Sequence, residues 1–459
     1  MQIEKSMKSE KKTEMKKERK NRRRMQKLEE EKGITLLALI ITVVIMLILA
    51  AVTISVTLGE GGLVDQAKWA AEQTANSTKS EQEQLDELQK EFANLMAEDS
   101  EIMPPDPGPE LPDGWDGTSN DKVTAAPSTD GKTVPVPIGY TASSASGENS
   151  VNDGFVIYEG TEEVNDSNVS TAKTSRNQFV WIPVEDISQI ANQTSGTDGN
   201  NRQNYQGKLY DFSTSGVTEM SSYGQGTTTY REPDIVTGNS SGTGTDYDGD
   251  SGYLSILGLS SSSEFKTQLQ EEYNEMIESV DRYGGFYIGR YETGNLAENT
   301  STEPEVVKGN DSIGGVNWYY QYQNSKLIGA NKNVASTMIW GSMFDRVLIW
   351  LTETGDKTYS DIMNSSSWGN YPNSTGAAAT NSKRQQPTGA NDAWQANNIY
   401  DLAGNVWDWT IEAYGTGHRV DRGGDYMGNG SGCTASDRFN IAPSYTYSNS
   451  SSRSALYIK

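Results

Sequence analysis

The sequence predicts an α+β protein in which a long apolar N-terminal helix leads through a linker to a large domain of short strands. Three observations support this fold class. Residues 34–56 contain no charged side chain, and about 20 apolar residues are enough for a helix to span a bilayer. Repeated prolines, which end a helix and favour extended chain, fall within residues 103–121. From Lys122 onward, short β-rich runs alternate with Gly, Asn and Ser turns.

Charge is distributed unevenly along the 459 residues. Residues 1–33 hold 13 Lys and Arg against 7 Asp and Glu, a net charge of +6. Since the whole chain has a net charge of −24, residues 34–459 have a net charge of −30. A body this acidic repels the phosphates of nucleic acid and of anionic lipids. We therefore expect no nucleic-acid partner.

The chain has one cysteine, Cys433, and one histidine, His418. A single cysteine excludes a disulfide within the chain, and these two residues are too few for a Cys/His zinc site. A Ser-His-Asp triad would have to use His418, whose "GTGHRV" context is typical of a turn. We expect His418 to be a surface residue instead.

Residues 1–33 are a predicted basic leader, and residues 34–57 a predicted transmembrane helix. The run "KKERKNRRR" precedes the apolar segment, and the positive-inside rule keeps such a flank in the cytoplasm. A buried core helix is the alternative, but core helices seldom lack a polar face over this length. We expect a single-pass protein of the cell membrane with its N-terminus inside.

The junction "EEEKGITLLALIITVVIMLILA" resembles the N-terminus of type IV prepilins and pseudopilins, a resemblance that covers about residues 28–75. It implies cleavage between Gly33 and Ile34 by a prepilin peptidase, other pilin subunits as partners, and a location at the cell surface or in a pilus after processing. The family usually has Glu at the fifth mature position, where this chain has Ala38. That difference implies either a minor or tip pilin or a monomer that stays tethered in the membrane.

Residues 58–102 are predicted to form a helical stem. Apolar residues recur at steps of three and four on one face, namely Leu85, Leu88, Phe92 and Leu95. This face suits a coiled-coil partner or packing along a pilus, and an ordinary solvated stem helix is the alternative. The proline-rich linker 103–121 then separates the stem from a display domain, 122–459.

The display domain combines predicted strands with one clear helix. The runs "GFVIYEG", "QFVWIPVED" and "GGFYIGRYETG" are typical of strands. In "IWGSMFDRVLIWLTETG", a helical period places Met343, Val347, Trp350 and Leu351 on one face. Segment 192–250 is rich in Gly, Ser, Thr and Asn, which predicts a loop insertion.

The segment "YDLAGNVWDWT" and the following "RVDRGG", with "FVWIPV" and "FYIGRYE" before them, resemble the formylglycine-generating (sulfatase-modifying) enzyme family over about residues 175–459. The resemblance implies a variant of the C-type-lectin-like fold. Gly404 suits a tight turn, and Trp407 and Trp409 offer large apolar area. We expect both tryptophans to pack in the core rather than stack on a ligand, and the "RGG" of 422–424 to support the fold.

The same resemblance implies a calcium site at this turn. Carried over to this sequence, its ligands are the side chains of Asp401 and Asp408 and the carbonyls of Gly404 and Val406, oxygen ligands of the kind that calcium prefers. Asp408 stands where the family more usually has Glu. The alternative is that the two aspartates cap turns.

Enzymes of that family oxidise a substrate cysteine with a pair of active-site cysteines, which hold copper in aerobic forms. This chain offers only Cys433, and one thiol cannot form the pair. We therefore expect no formylglycine-generating activity and no copper.

The C-terminal stretch after "RGG" is rich in Tyr, Ser, Asn and Asp, a composition that suits adaptable binding surfaces. It is also similar in position to the variable region of retroelement-diversified receptors, which implies a diversified binding face. The candidate ligand-binding residues are Asp425, Tyr426, Asn429, Tyr445, Tyr447 and Asn449. The alternative is a polar surface loop without a partner.

The sequence thus predicts a surface-displayed adhesion or ligand-binding protein, in which a pilin-like anchor carries a non-catalytic domain that binds an extracellular protein or glycan. Two alternatives from other classes are a structural minor pilin without a ligand and an enzyme that uses Cys433 or copper. The binding protein requires a ligand that binds saturably, the structural pilin requires filaments that are lost when it is deleted, and the enzyme requires turnover of a substrate.

Overall fold

The computed structural model of this protein describes residues 114–220, 229–238, 249–311, 315–329, 333–379 and 384–459. All of them belong to one compact unit, residues 109–459. The predicted leader (1–33), its cleavage point at Gly33 and Ile34, the apolar helix (34–57) and the stem (58–102) lie outside the described residues, as does the linker up to residue 113. These predictions therefore remain predictions.

The described strands and helices follow one another in a mixed order. The strands are β1 (Val123–Pro127), β2 (Thr133–Pro137), β3 (Tyr140–Ala142), β4 (Val156–Glu159), β5 (Gln178–Pro183), β6 (Ala191–Thr197), β7 (Gln203–Gly207), β8 (Tyr210–Ser213), β9 (Gly216–Glu219), β10 (Tyr230–Arg231), β11 (Gly285–Gly289), β12 (Val334–Met338), β13 (Gln395–Ala396), β14 (Ile399–Tyr400), β15 (Trp407–Tyr414), β16 (His418–Arg422), β17 (Arg438–Ile441), β18 (Ser450–Ser452) and β19 (Ser454–Ile458). The helices are α1 (Val169–Ser175), α2 (Leu254–Leu257), α3 (Ser262–Tyr283), α4 (Trp318–Ser325), α5 (Gly341–Glu353) and α6 (Tyr359–Met363).

A six-stranded antiparallel sheet in the order β12-β19-β11-β5-β4-β3 forms the centre of the domain. Its central strands β4, β5 and β11 are mostly apolar because each face of the sheet is covered by its own core. In β5, Val180 and Ile182 belong to one hydrophobic cluster, whereas Phe179 and Trp181 belong to the other. The alternation of side chains along a strand divides such a run between the two faces.

A second sheet has the order β10-β15-β16-β17, and β18 pairs with β15 in parallel. Each of the two motifs lies partly in this sheet: β15 begins at Trp407, within "AGNVWDW", and β16 ends at Arg422, within "RVDRGG". Four further pairs are small antiparallel hairpins or ladders: β1–β2, β6–β7, β8–β9 and β13–β14. Two of these hairpins, β6–β7 and β8–β9, lie largely within the predicted loop insertion at 192–250.

Helices α3 and α5 cover the sheets. Helix α5 packs on β5 and β15, and the predicted apolar face of Met343, Val347, Trp350 and Leu351 is buried, as expected. Helix α3 begins after Ser261, whose side chain accepts a hydrogen bond from Glu264 N, and ends at Gly284 in the left-handed conformation. The strands predicted at 154–160, 178–186 and 284–294 are confirmed as β4, β5 and β11.

The predicted fold class, a pilin-like transmembrane helix followed by a linker and a C-type-lectin-like domain, is wrong as a description of this structure. The described residues combine helices with antiparallel sheets, and none of these helices is long and apolar enough to cross a membrane. The longest, α3, carries charged residues on its exposed side, including Glu264 and Lys266. The predicted single-pass location in the cell membrane, and at the cell surface or in a pilus after processing, is contradicted by the same finding.

Candidate functional site

The turn between β14 and β15 brings several buried polar groups together. Asp401, Gly404 and Asn405 all have positive φ angles, of 55°, 73° and 65°. A Cβ on Gly404 would lie 2.5 Å from the backbone oxygen of Asn370. Asn370 in turn accepts a hydrogen bond from Asn405 N at 3.1 Å. This close approach of two backbone segments explains why the turn contains glycine at position 404.

The two aspartates of the predicted calcium site have protein partners at this turn. Asp401 Oδ2 accepts hydrogen bonds from Thr388 Oγ1 at 2.9 Å and from Gly389 N at 2.7 Å. Asp408 Oδ2 accepts one from Arg453 Nε at 2.8 Å. The other carboxylate oxygen of each aspartate is buried and has no hydrogen-bond partner among the described residues.

A third buried carboxyl group, Glu292, completes this cluster. It accepts hydrogen bonds from Asn405 Nδ2 at 2.6 Å and from Val406 N at 3.2 Å. Burial raises the pKa of Asp401 to about 6 and also raises the pKa values of Asp408 and Glu292, while the Arg453 guanidinium opposes each increase. Glu292 is not predictable as part of this cluster from the sequence, because it is 113 residues from Asn405 in the chain.

Calcium at this turn remains a prediction. The free oxygens of Asp401 and Asp408 are of the right type to accept a cation, but Arg453 already neutralises Asp408. Within the described ranges, no group of three or more His, Cys, Asp and Glu side chains is arranged to hold a metal ion. The hydrogen bonds that Asp401 accepts from Thr388 and Gly389 come from residues 13 and 12 positions earlier, so they join two segments of chain and do not cap the turn itself. A chelator that leaves the melting temperature unchanged would exclude the calcium site.

The tryptophans and glycines of the two motifs support the fold, as predicted. Trp407 and Trp409 are 6% and 1% exposed. Arg422 is buried and donates to Asp345 Oδ1 at 2.8 Å. Gly423 and Gly424 have φ angles of 92° and 81°, a region that favours glycine.

The six candidate ligand-binding residues divide into two groups. Asp425 is 4% exposed, and its carboxylate accepts hydrogen bonds from Met427 N, Gly428 N and Asn449 Nδ2. Asp425 and the half-buried Asn449 therefore hold two loops together rather than project into solvent. The remaining four, Tyr426, Asn429, Tyr445 and Tyr447, are half-buried or exposed.

Four of the five large hydrophobic side chains that are exposed in the described ranges lie close together in sequence near the C-terminus. They are Met427 (59%), Phe439 (48%), Tyr445 (39%) and Tyr447 (42%); the fifth is Ile138. The rings of Tyr445 and Tyr447 are 5.4 Å apart, and the Phe439 ring stacks on Trp407 at 5.6 Å. We call these four residues, with Tyr426 and Asn429, the C-terminal face.

Two hydrogen bonds, one between backbone groups and one between side chains, connect the segments of the C-terminal face. Trp407 N donates to Asn449 O at 2.8 Å, which connects the Phe439–Trp407 pair to the 445–449 loop. The Asp425–Asn449 hydrogen bond, at 2.5 Å, connects that loop to the 425–430 loop. Met427 and Phe439 are not among the residues predicted from the sequence, although an apolar residue within a polar stretch such as "SDRFNIAP" is a usable signal.

Cys433 and His418 lie in environments that do not favour chemistry. Burial, with the nearby Asp437 and Asp425 carboxylates, raises the pKa of the partly buried Cys433 thiol, which disfavours the reactive thiolate. His418 lies at the start of β16, contacts Asn440 Oδ1 through Nδ1 at 3.0 Å, and stacks on Tyr414. No serine or carboxylate is among these partners of His418.

No protein-family model matches the sequence, and no curated protein matches it. Among solved structures, the chain is similar to CarF, with a TM-score of 0.29 and 13% identity over 38% of this chain and 87% of CarF. It is similar to PvdO from Pseudomonas aeruginosa, with a TM-score of 0.28 and 17% identity over 38% of this chain and 82% of PvdO. It is also similar to Treponema denticola variable protein 1, with a TM-score of 0.23 and 14% identity over 61% of this chain and 95% of that protein. Likeness at these TM-scores supports no inference about fold or function.

Proposed function

We propose that the described domain is a non-catalytic binding domain, and that its C-terminal face contacts a protein or glycan ligand. The observation that carries this proposal is that four of the five large hydrophobic side chains exposed in the described ranges fall between residues 427 and 447, in segments that hydrogen bonds join to one another. Such side chains are normally buried, and their concentration on one surface is characteristic of interaction sites.

The composition of the face supports the same function. Tyrosine supplies contact area at a low entropic cost, while asparagine and serine adapt their hydrogen bonds to a ligand. Tyr426, Tyr445, Tyr447 and Asn429 provide these groups. Beneath them, Asp425, Asn449 and Trp407 fix the loops, so less conformational entropy is lost on binding.

The binding proposal is tested by incubating the purified full chain with arrays of extracellular proteins and of glycans, followed by titration of each ligand found. Replacing both tyrosines, Tyr445→Ser with Tyr447→Ser, should weaken binding at least about tenfold, since exposed aromatics dominate interface energies. Ile138→Ser is the matched control, because Ile138 is also exposed (43%) but lies outside the face. Equal losses from the two variants, or no saturable ligand, would contradict the proposal.

A catalytic function is the second candidate, and Cys433 is the residue on which it depends. The raised pKa of the Cys433 thiol argues against it as a nucleophile. We expect Cys433→Ser to bind the same ligand with unchanged affinity. Loss of a turnover activity in Cys433→Ser would favour the enzyme instead.

A further inference from the structure

Asp421 is a buried carboxyl group without a cationic partner among the described residues. It is 0% exposed, and its Oδ2 accepts one side-chain hydrogen bond, from Ser450 Oγ at 3.3 Å. Its Oδ1 has no hydrogen-bond partner among the residues that the structure describes. Buried carboxyl groups are normally paired or fully hydrogen-bonded, so this one calls for an explanation.

Other buried carboxyl groups of the domain are better satisfied. Asp250, Asp345 and Asp408 each contact an arginine, at 3.1, 2.8 and 2.8 Å. Glu232 has no arginine among its described contacts but accepts two backbone N–H groups, from residues 341 and 342. Within the described ranges, Asp421 has no arginine partner and no such pair of backbone donors.

Aromatic residues lie beside Asp421 in the neighbouring strands, and one of them, Phe439, belongs to the C-terminal face. The strand pairing places Asp421 opposite Trp409 in β15 and opposite Phe439 in β17. The Phe439 ring stacks on Trp407, with an angle of 30° between the rings. Phe439 is half-exposed whereas Trp407 is nearly buried, so Phe439 is the member of the pair that faces solvent.

Strand β16, which contains Asp421, also contains two arginines. Each of them pairs with a carboxylate and lies over an aromatic ring. The Arg419 guanidinium lies 4.4 Å from the Trp318 ring centroid and pairs with Asp250. The Arg422 guanidinium lies 4.7 Å from the Phe344 ring centroid and pairs with Asp345. Each group therefore consists of a carboxylate, a guanidinium and an aromatic ring. Asp421, between these arginines in β16, has a carboxyl group and aromatic residues opposite it in both neighbouring strands, but no guanidinium from the described part of the chain.

We propose that Asp421, Phe439 and Trp407 form a site for the guanidinium group of an arginine side chain on a partner protein. This inference rests on the proposed function, since Phe439 belongs to the C-terminal face, and it specifies what that face recognises. A planar guanidinium can stack on an aromatic ring while its N–H groups donate to a carboxylate, which an ammonium group does less well.

The charges around Asp421 favour a cation as the ligand. Burial raises the pKa of Asp421 well above its usual range, and the nearby Asp425 and Asp437 carboxylates add to the increase. A bound guanidinium would stabilise the ionised form of Asp421 and so release its proton. Affinity for an arginine ligand should therefore increase with pH, whereas a purely structural Asp421 predicts no such dependence.

The test uses the ¹⁵N-labelled full chain and follows the indole N–H signals of its tryptophans, with Trp407→Phe to assign Trp407. The probes are the peptide acetyl-Gly-Arg-Gly-amide, its citrulline analogue, which has the same shape without the charge, and ethylguanidinium. We expect the arginine peptide to shift the Trp407 signal saturably, with a Kd in the range of about 1–20 mM for a single contact. The citrulline peptide should not shift it.

Substitutions of Asp421 and Phe439 test the site, and a substitution of the neighbouring Asp437 is the control. Asp421→Asn, which is nearly isosteric, should weaken binding of the arginine peptide at least about tenfold, while Asp437→Asn, which removes a neighbouring charge, should weaken it less. If Asp421→Asn does not fold, Phe439→Ser at the half-exposed ring provides the same test. A wild-type chain without a saturable shift below about 50 mM peptide, or equal affinity in wild type and Asp421→Asn, overturns the proposal. Saturable binding of ethylguanidinium without binding of the peptide also overturns it, because the site would then admit only a free small cation.

These outcomes are distinct from failure of the binding function itself. A ligand found on the arrays that loses affinity in the Tyr445→Ser, Tyr447→Ser chain but not in Asp421→Asn would refute the arginine site and leave the binding function intact. Loss of affinity in both variants supports both proposals.

Discussion

Phe439 and Trp407 stack with their ring centroids 5.6 Å apart, although one ring is 48% exposed and the other 6%. The pair thus joins the solvent-facing surface to the core of the second sheet. The two residues should have different effects when truncated, since burial determines the cost of losing a side chain.

Trp407→Ala should lower the free energy of unfolding by about 3–5 kcal/mol, because it leaves a large cavity. Phe439→Ala should lower it by about 1 kcal/mol, the stacking contribution of a half-exposed ring, while weakening ligand binding. Urea denaturation monitored by circular dichroism measures both. A Phe439→Ala loss as large as that of Trp407→Ala would show that Phe439 is a core residue and not part of a binding surface.

Asp408 and Arg453 form a buried ion pair, with both side chains at most 1% exposed. Asp408→Asn should lower the free energy of unfolding by about 3 kcal/mol, because it leaves the Arg453 charge uncompensated in the interior. The exposed pair of Lys308 and Asp392, at 3.2 Å, is the matched control, and Asp392→Asn should cost less than about 1 kcal/mol. Similar losses from both changes in urea denaturation would mean that burial of the Asp408 pair has no energetic consequence.

Glu232 should make stability depend on pH. Burial and the Glu412 charge raise its pKa from 4.5 to about 7. The folded state therefore binds a proton at Glu232 more tightly than the unfolded chain does. The stability that this proton adds is complete below pH 4.5 and is lost as pH rises through about 7. Loss of this proton between pH 4.5 and 7 should lower the free energy of unfolding by about 1–3 kcal/mol.

The Glu232→Gln variant should show a shallower decline over that pH range in urea denaturation, because the variant side chain cannot ionise. Exposed Glu303→Gln is the control for a general effect of charge. A Glu232→Gln chain with the same slope of stability against pH as the wild type would contradict the assignment.

Local signals in the sequence predict a good part of the fold. Uninterrupted apolar runs locate β4, β5 and β11, and the helical period at 339–355 locates α5. Helix α3 was missed although its signals are present: Ser261 and Glu264 at the start, Gly284 at the end, and buried residues at helical spacing between them. Its many glutamates and glutamines obscure that apolar face.

Long-range contacts of the candidate site are what the sequence cannot supply. The partners of Asp408 and Asn405 are Arg453 and Glu292, which chain folding brings from far away in sequence. The same holds for Asp421. That its Oδ1 has no hydrogen-bond partner among the described residues is known only once the positions of the neighbouring arginines are known. Composition predicts a binding surface near the C-terminus, and only burial separates Asp425, which supports the loops, from the exposed Tyr445 and Tyr447.

Gly404 allows the turn before β15 to pack against another segment, and its replacement should be costly for two reasons. The φ angle of 73° is strained for any L-residue, and a Cβ would lie 2.5 Å from the backbone oxygen of Asn370, which cannot move aside as a side chain can. Gly404→Ala should therefore lower the free energy of unfolding by more than about 3 kcal/mol.

Gly309 is the matched control for Gly404, since its φ of +88° is similar but no described atom lies within 4 Å of the position that a Cβ would take. Gly309→Ala should cost only about 1–2 kcal/mol, the strain of the left-handed conformation alone. Urea denaturation of both variants measures the difference, which isolates the contact with the Asn370 backbone from the shared conformational strain. Equal losses from the two variants would show that conformation, and not the contact with Asn370, requires glycine at position 404.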